Sequence, residues 1–171
     1  MNVYEAIKKR RSVRAYQDKP VPEDVLNRVL EAARLAPSGN NRQERKFVVI
    51  TDAETRKNLV QAANNQNFVG QAPVVIAAVG TNPEKMMSCD IPGDPVDVAI
   101  ALDHMTLAAI EEGLGTCWIG AFSQDEVCKI LGIPSPYKVI ELLTLGYPAD
   151  APREKKRKPL EEIVCYQKFA D

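Results

Sequence analysis

The sequence is short of the features that mark several common protein classes. No apolar run approaches the roughly 20 residues that span a bilayer, and Met1 to Arg14 contain no apolar core of signal-peptide length. A cytoplasmic location without membrane insertion is therefore expected. There is a single histidine, His104, and the four cysteines (Cys89, Cys117, Cys128, Cys165) form no CxxC pair. No Cys/His set has zinc spacing, so free thiols and no structural metal are expected. Excess charge is also missing: the formal net charge is -1, which argues against a globally basic nucleic-acid binder. The aromatic content is 6%, and no aromatic residues interleave with the basic runs as in a single-strand binder. No nucleic-acid partner is expected.

What is present is an ordinary globular composition, 45% hydrophobic and 26% charged over 171 residues, enough for one compact domain spanning 1–171. Asn2 and Glu5 read as a capping pair that opens a short helix ending in the basic run Lys8 to Arg11. Pro22, Glu23 and Asp24 open a second helix, which carries Val25, Leu26, Val29, Leu30 and Ala33 at helical spacing and ends before Pro37. Phe47 to Ile50 reads as a strand, and Thr51 with Glu54 as the cap of a helix to about Ala63. Val74 to Val79 is the clearest buried strand. Asp94, Pro95 and Asp97 start a long helix to Glu112 that is apolar on more than one side and stopped by Gly113, hence buried in a core or an interface.

Thr116 to Gly120 reads as a strand, Ser123 and Glu126 as the cap of a helix ending at Gly132, and Val139 to Leu145 as the last strand. Beyond Gly146, prolines alternate with Arg153, Lys155, Lys156, Arg157 and Lys158, which predicts an extended C-terminal tail over 147–171. Helices and strands mix without strict βαβ alternation. The class is α+β, with helices packed on a mainly antiparallel sheet.

Two segments bear chemistry. Arg10-Arg11-Ser12-Val13-Arg14 places guanidinium forks and a hydroxyl where a helix ends; such forks suit phosphate and planar polar heterocycles. By itself the run is a solvated basic face before it is a site. Ala36-Pro37-Ser38-Gly39-Asn40-Asn41-Arg42-Gln43 is a loop dense in amides and hydroxyls, able to bond the edge of a heterocycle and equally plain as turn chemistry.

These two motifs, in this order, resemble the FMN-dependent nitroreductase family. Asn64 to Phe68 before the Ala72-Pro73 strand, Gly113 to Gly120 after the long helix, and Gly146-Tyr147-Pro148 leading to Lys155 to Pro159 extend the resemblance along nearly the whole chain. It implies an antiparallel sheet flanked by helices, with the long helix at a homodimer interface. The resemblance places the FMN phosphate and ribityl chain near Arg10, Ser12, Lys155 and Arg157, with Arg11 serving the phosphate or the ring. It sets Arg14 beside the pyrimidine edge, where a cation stabilises the reduced ring. Asn65 and Gln66 are implied at the same edge, and backbone groups of Ile119, Gly120 and Ala121 near N5. Pro37, Ser38, Gly39 and Asn41 match a loop supplied by the other subunit, so that active sites are shared.

The implied activity is ping-pong transfer of electrons from NADH or NADPH through FMN to a small electron-poor acceptor, nitroaromatic or quinone, with no catalytic side chain beyond the tuning role of Arg14. A specialised FMN enzyme (dehalogenase, flavin reductase or dehydrogenase) and a non-catalytic flavin-binding redox sensor are the alternatives. Two departures stand out. Glu44-Arg45 replaces the family's proline and aromatic residue, which predicts a more polar outer wall on the loop. Only the Thr81 to Gly93 loop stands where larger members insert helices, which predicts an open pocket. His104 reads as a packing residue, and Trp118 reads equally as pocket wall or core.

Overall fold

The computed structural model describes residues 1–152 and 155–170; Arg153, Glu154 and Asp171 lie outside the described residues. Helix α1 is Val3–Lys9, α2 Glu23–Leu35, β1 Arg45–Ile50, α3 Ala53–Ala62, α4 Phe68–Gln71 and β2 Val74–Gly80; α5 follows at Gly93–Glu111, β3 at Gly115–Ile119, α6 at Gln124–Leu131 and β4 at Lys138–Gly146. The four strands form one sheet in the order β1-β2-β4-β3, with every neighbouring pair antiparallel. The α+β expectation holds.

Side-chain alternation along the strands explains the layering. Val74, Ile76, Ala78, Leu143 and Leu145 face one way and pack with Val29 and Ala33 of α2 and with Val98, Leu102 and Met105 of α5. Val75, Ala77, Val79 and Leu142 face the other way, onto Leu59 and Ala62 of α3 and Val127 of α6. Because β2 is covered on both faces, all seven of its residues are buried, and its sequence reads as an unbroken apolar run rather than an alternating one.

Several element ends obey the caps read from sequence. Asn2 accepts from the Glu5 N–H at 2.9 Å while Glu5 accepts from the Asn2 N–H at 3.1 Å, and Gly132 closes α6 at φ 64°, a conformation suited to glycine. Three details differ. Asp52, not Thr51, caps α3: its carboxylate accepts from the Thr55 N–H at 2.8 Å and the Thr55 hydroxyl at 2.7 Å. Strand β1 begins earlier, because Arg45 already pairs with Gly80. Helix α4 is a single turn, too short to leave a periodic signature.

The C-terminal segment is not wholly extended. Its start is pinned: Gln17 N–H donates to Tyr147 O at 2.9 Å and Ala149 N–H to Ala15 O at 2.9 Å, and Leu160–Glu162 form one 3-10 turn. Among the described residues no helix is long and apolar enough to cross a membrane.

Candidate functional site

Four segments meet along the β3 edge of the sheet. Val13 N–H donates to Thr116 O at 2.8 Å, and Ser12 bridges Thr116 in parallel; the basic run therefore lies beside the start of β3. Arg14, exposed, stands over the Phe68 ring at 5.9 Å from its centroid, which ties the same run to the segment before β2. That segment docks on the end of β3: Gln66 Nε2 donates to Ala63 O at 3.0 Å and to Ala121 O at 3.2 Å. Asn65 beside it holds φ 59°, a left-handed conformation that asparagine tolerates better than most residues. Ile119 is buried, whereas Gly120 and Ala121 present their backbone to solvent.

The fourth segment is the basic tail. Lys155 Nζ donates to Lys8 O at 2.5 Å, across the end of α1. Its ammonium lies below the ordinary lysine range, because burial penalises the charge and Arg10, Arg157 and Arg11 repel it. Cations from both ends of the chain therefore crowd one place. Among the described residues, the Arg157 side chain bonds only to the neighbouring Lys156 carbonyl, 2.9 Å, and the Arg10 side chain has no bond or ion pair. Such a cluster is chemically fit for a dianionic phosphate, with Arg10, Lys155, Arg157 and the Ser12 hydroxyl as its donors.

Arg11 behaves differently from its neighbours. Its guanidinium is bidentate on Asp150, 2.8 Å to each carboxylate oxygen, and also donates to Asp150 O at 2.7 Å. Only 14% of the side chain is exposed. This fork straps the start of the tail to the basic run. A strap and a phosphate ligand predict opposite results for Asp150→Ala. Loss of a nearby carboxylate would tighten anion binding if Arg11 bound the anion, whereas loss of the strap weakens it. We expect Asp150→Ala and Arg11→Ala to weaken FMN binding alike, about fivefold to tenfold for one charge-assisted contact in a part-exposed setting. The double variant should be no worse than either single one, as titration with FMN would record.

Sequence reasoning passed over Glu141. It sits on β4, and a Cβ placed on Gly120 would lie 3.4 and 3.5 Å from its two carboxylate oxygens. The carboxyl thus lies within contact distance of the exposed backbone at Gly120. No hydrogen bond or ion pair to Glu141 is found among the described residues, and burial raises its pKa above the ordinary glutamate value. A carboxyl whose folded pKa is raised stabilises the fold at low pH and loses that contribution as pH climbs through the folded pKa. Glu141→Gln should therefore gain in melting temperature on the wild type between pH 4 and 8, the gain levelling off once the carboxyl has ionised in the folded protein as well. A constant offset across that range would contradict it.

The amide loop lies elsewhere. Pro37, Ser38, Gly39 and Asn41 precede β1, on the edge opposite β3. Arg45 pairs with Gly80 and Gly80 with Lys138, while Gly115 pairs with Gly146 at the far end of β4. Three strand spacings amount to about 14 Å, and the nine residues of β4 to roughly 27 Å. Loop and basic run are diagonal opposites on the sheet. Within one chain, the loop's described hydrogen bonds run to its own residues and to Arg45 and Asp97, none to the other four segments.

Of the remaining single residues, Trp118 is neither core nor free: its Nε1 donates to Thr106 Oγ1 on α5 at 3.0 Å, with 37% of the residue exposed. Cys117 is buried, and burial holds its thiol above the ordinary cysteine range although Arg14 and Ser12 oppose the shift. It is poorly suited to thiolate chemistry. No group of three or more His, Cys, Asp or Glu side chains among the described residues could hold a metal ion.

Comparison with known proteins adds the decisive observation: the model of the nitroreductase family matches residues 7–71 and 61–147. The chain belongs to the nitroreductase family. Relatives within it include an NADH dehydrogenase of Thermus thermophilus, 31% identical with 93% of each chain covered. Another is the FMN reductase [NAD(P)H] of Bacillus subtilis, 31% identical over 94% of this chain and 72% of that one. A solved nitroreductase family protein from Clostridium difficile 630 superposes with a TM-score of 0.89 at 35% identity, over 99% of this chain and 100% of the other. The nitroreductase fold accounts for the single antiparallel sheet and the long α5.

Proposed function

We propose that this chain is an FMN-dependent oxidoreductase that passes electrons from NADH or NADPH to a small electron-poor acceptor of nitroaromatic or quinone type. The observation that carries this reading is the convergence of Arg10, Lys155 and Arg157 beside Ser12, with the 64–68 and 119–121 segments docked next to it. Bound there, FMN would supply two-electron hydride chemistry. The protein's part is to hold the phosphate, to present backbone at Ile119, Gly120 and Ala121, and to stabilise negative charge with Arg14. Asn65 and the remaining amide capacity of Gln66 serve the pyrimidine edge. Arg11 acts through Asp150 as a strap.

The same reading makes the protein a homodimer with shared sites. Pro37, Ser38, Gly39 and Asn41 stand across the sheet from the basic run, so they complete a site only when they reach the one on a second copy. Exposed apolar side chains support such an assembly: Val3, Tyr4 and Ile7 on α1, Val96 on α5, and Leu160, Ile163, Tyr166 and Phe169 along the tail. The single domain is 1–171, with 147–171 as its arm. Four free cysteines fit a reducing, cytoplasmic compartment.

The test is the visible spectrum of freshly purified protein. A flavin band that bleaches with NADH or NADPH and returns on adding a quinone is the expected result; a colourless protein that FMN does not reconstitute would end the proposal. Parallel reciprocal plots are expected from a ping-pong cycle, and intersecting plots would exclude the single shared site.

A further inference from the structure

The Glu44-Arg45 pair, expected from sequence to make the outer wall of the amide loop polar, is turned inward. Arg45 Nη1 donates to Pro37 O at 3.0 Å and to Asp97 O at 3.1 Å, and Nη2 to Ala33 O at 3.1 Å and Ala36 O at 2.5 Å. One guanidinium thus closes the C-terminal end of α2, the first residue of the loop and the first turns of α5. The planar fork suits this task, because its donors reach several carbonyls at fixed angles. Asp97 answers with its carboxylate, which accepts from the Gly39 N–H at 3.0 and 3.2 Å. Glu44 ties the other side: Asn82 Nδ2 donates to it at 2.9 Å, and Lys85 Nζ lies 3.5 Å away.

The loop held by this network uses left-handed backbone. Asn40, Asn41 and Gln43 have φ of 52°, 55° and 57°; asparagine tolerates this region, whereas a glutamine rarely occupies it unless its surroundings impose it. The loop is exposed, and its own bonds are local: Asn41 N–H to Ser38 O at 2.9 Å, Arg42 N–H to Gly39 O at 3.2 Å, Gln43 N–H to Ser38 Oγ at 3.0 Å and Gln43 Nε2 to Asn41 O at 3.2 Å. Arg45 and Asp97 anchor that turn from behind, at Pro37 O and the Gly39 N–H.

We infer that Arg45, acting with Asp97, is a positioning residue that holds the 37–43 loop in the geometry needed to complete the FMN site of the opposite subunit. This rests on the shared-site reading above. Neither side chain contacts the cofactor; both act through the backbone of Pro37 and Gly39. The consequence is spatial: a defect at Arg45 falls on the partner's site, not on the site carried by the same chain.

A mixed dimer separates the two. Chains carrying Arg45→Ala and chains carrying Arg157→Ala are given different affinity tags, co-expressed and purified through both tags. Apoprotein is then titrated with FMN by flavin fluorescence quenching. Both homodimers should bind FMN at least tenfold more weakly than the wild type. The mixed dimer should recover one site of wild-type affinity per dimer, since one site receives both intact parts and the other receives both defects. A mixed dimer with no tight site would place the Arg45 effect in its own chain and overturn the inference, as would an Arg45→Ala homodimer that binds like the wild type. If Arg45→Ala fails to fold, Asp97→Asn takes its place, since it keeps the fork and weakens only the grip on Gly39.

Guanidinium at millimolar concentration should partly restore FMN affinity to the Arg45→Ala homodimer and leave that of the Arg45→Lys homodimer, whose ammonium already fills the space, unchanged. No restoration in folded Arg45→Ala protein would argue against a guanidinium-specific positioning role. Failure of the underlying reading has a different signature. A wild-type protein that does not bind FMN removes the cofactor, and a wild-type protein that binds FMN fully as a monomer removes the sharing.

Discussion

Alanine at both Arg10 and Arg157 is expected to strip FMN from a protein that stays folded. The two guanidinium groups come from opposite ends of the chain and share their place with Lys155, whose ammonium they repel. In the absence of an anion that crowding is a cost to the fold, so removing the charges relieves repulsion. Arg157 is exposed and Arg10 only partly buried, so little packing is lost, and surface changes of this kind usually move stability by under about 0.5 kcal/mol. Binding is another matter. A hydrogen bond to a charged group contributes roughly 1.5–3 kcal/mol, and at about 1.4 kcal/mol per tenfold the pair is worth about a hundredfold to ten-thousandfold in FMN affinity. Flavin fluorescence titration beside circular dichroism melts would measure both quantities. Stoichiometric flavin retained by a folded double variant would remove the phosphate assignment. Lys9→Ala, an exposed cation on α1, is the control for general loss of positive charge.

Leu102→Ala should produce the largest loss of stability, about 2–5 kcal/mol. Leu102 is fully buried on α5, in the cluster that joins this helix to Ile76 and Leu143 of the sheet and to Val29 and Ala33 of α2. Truncation removes buried methyl groups and leaves a cavity that strands on one side and a helix on the other can close only partly. The consequence extends to the site. Asp97, which holds Gly39, lies upstream on the same helix, and Thr106, which receives the Trp118 indole, lies one turn downstream. Urea unfolding should show a lower midpoint at unchanged slope, and FMN should shift the midpoint back as any ligand of the native state does. A loss below 1 kcal/mol would mean that α5 is less tightly packed than its burial indicates. Ile100→Ala, half-buried on the same helix, should cost less.

The value of Arg45 shows how a residue can be read correctly as a departure and wrongly as to its effect. A charged residue in a surface loop is ordinarily solvated, and from its type alone a polar wall is the natural expectation. What turns it inward is the meeting of the last turn of α2, whose carbonyls lack partners within the helix, with the Pro37 and Asp97 carbonyls. That coincidence exists only once the sheet has brought Asp97 to Ala36. Glu141 was passed over for a related reason: a glutamate in a strand reads as an outward-facing residue, and its exposure to Gly120 depends on the β3–β4 register. Arg11 and Arg10 are adjacent and chemically identical, yet Asp150 takes one and leaves the other.

Local chemistry settled between near neighbours in the chain was legible in most places, the Asp52 cap of α3 being an exception. The Asn2–Glu5 cap, the left-handed stop at Gly132, the long apolar α5 and the doubly covered β2 all follow from spacing, because backbone hydrogen bonding and side-chain periodicity act over a few residues. The sequence alone also sufficed to bring forward the basic run at Arg10 to Arg14, the amide loop and the basic tail as the chemically loaded segments. Tertiary structure decided which of them meet. The basic run and the tail converge because the chain's two ends pack side by side at one end of the sheet. The amide loop is carried to the opposite corner by the β1-β2-β4-β3 order, a separation that no local propensity encodes.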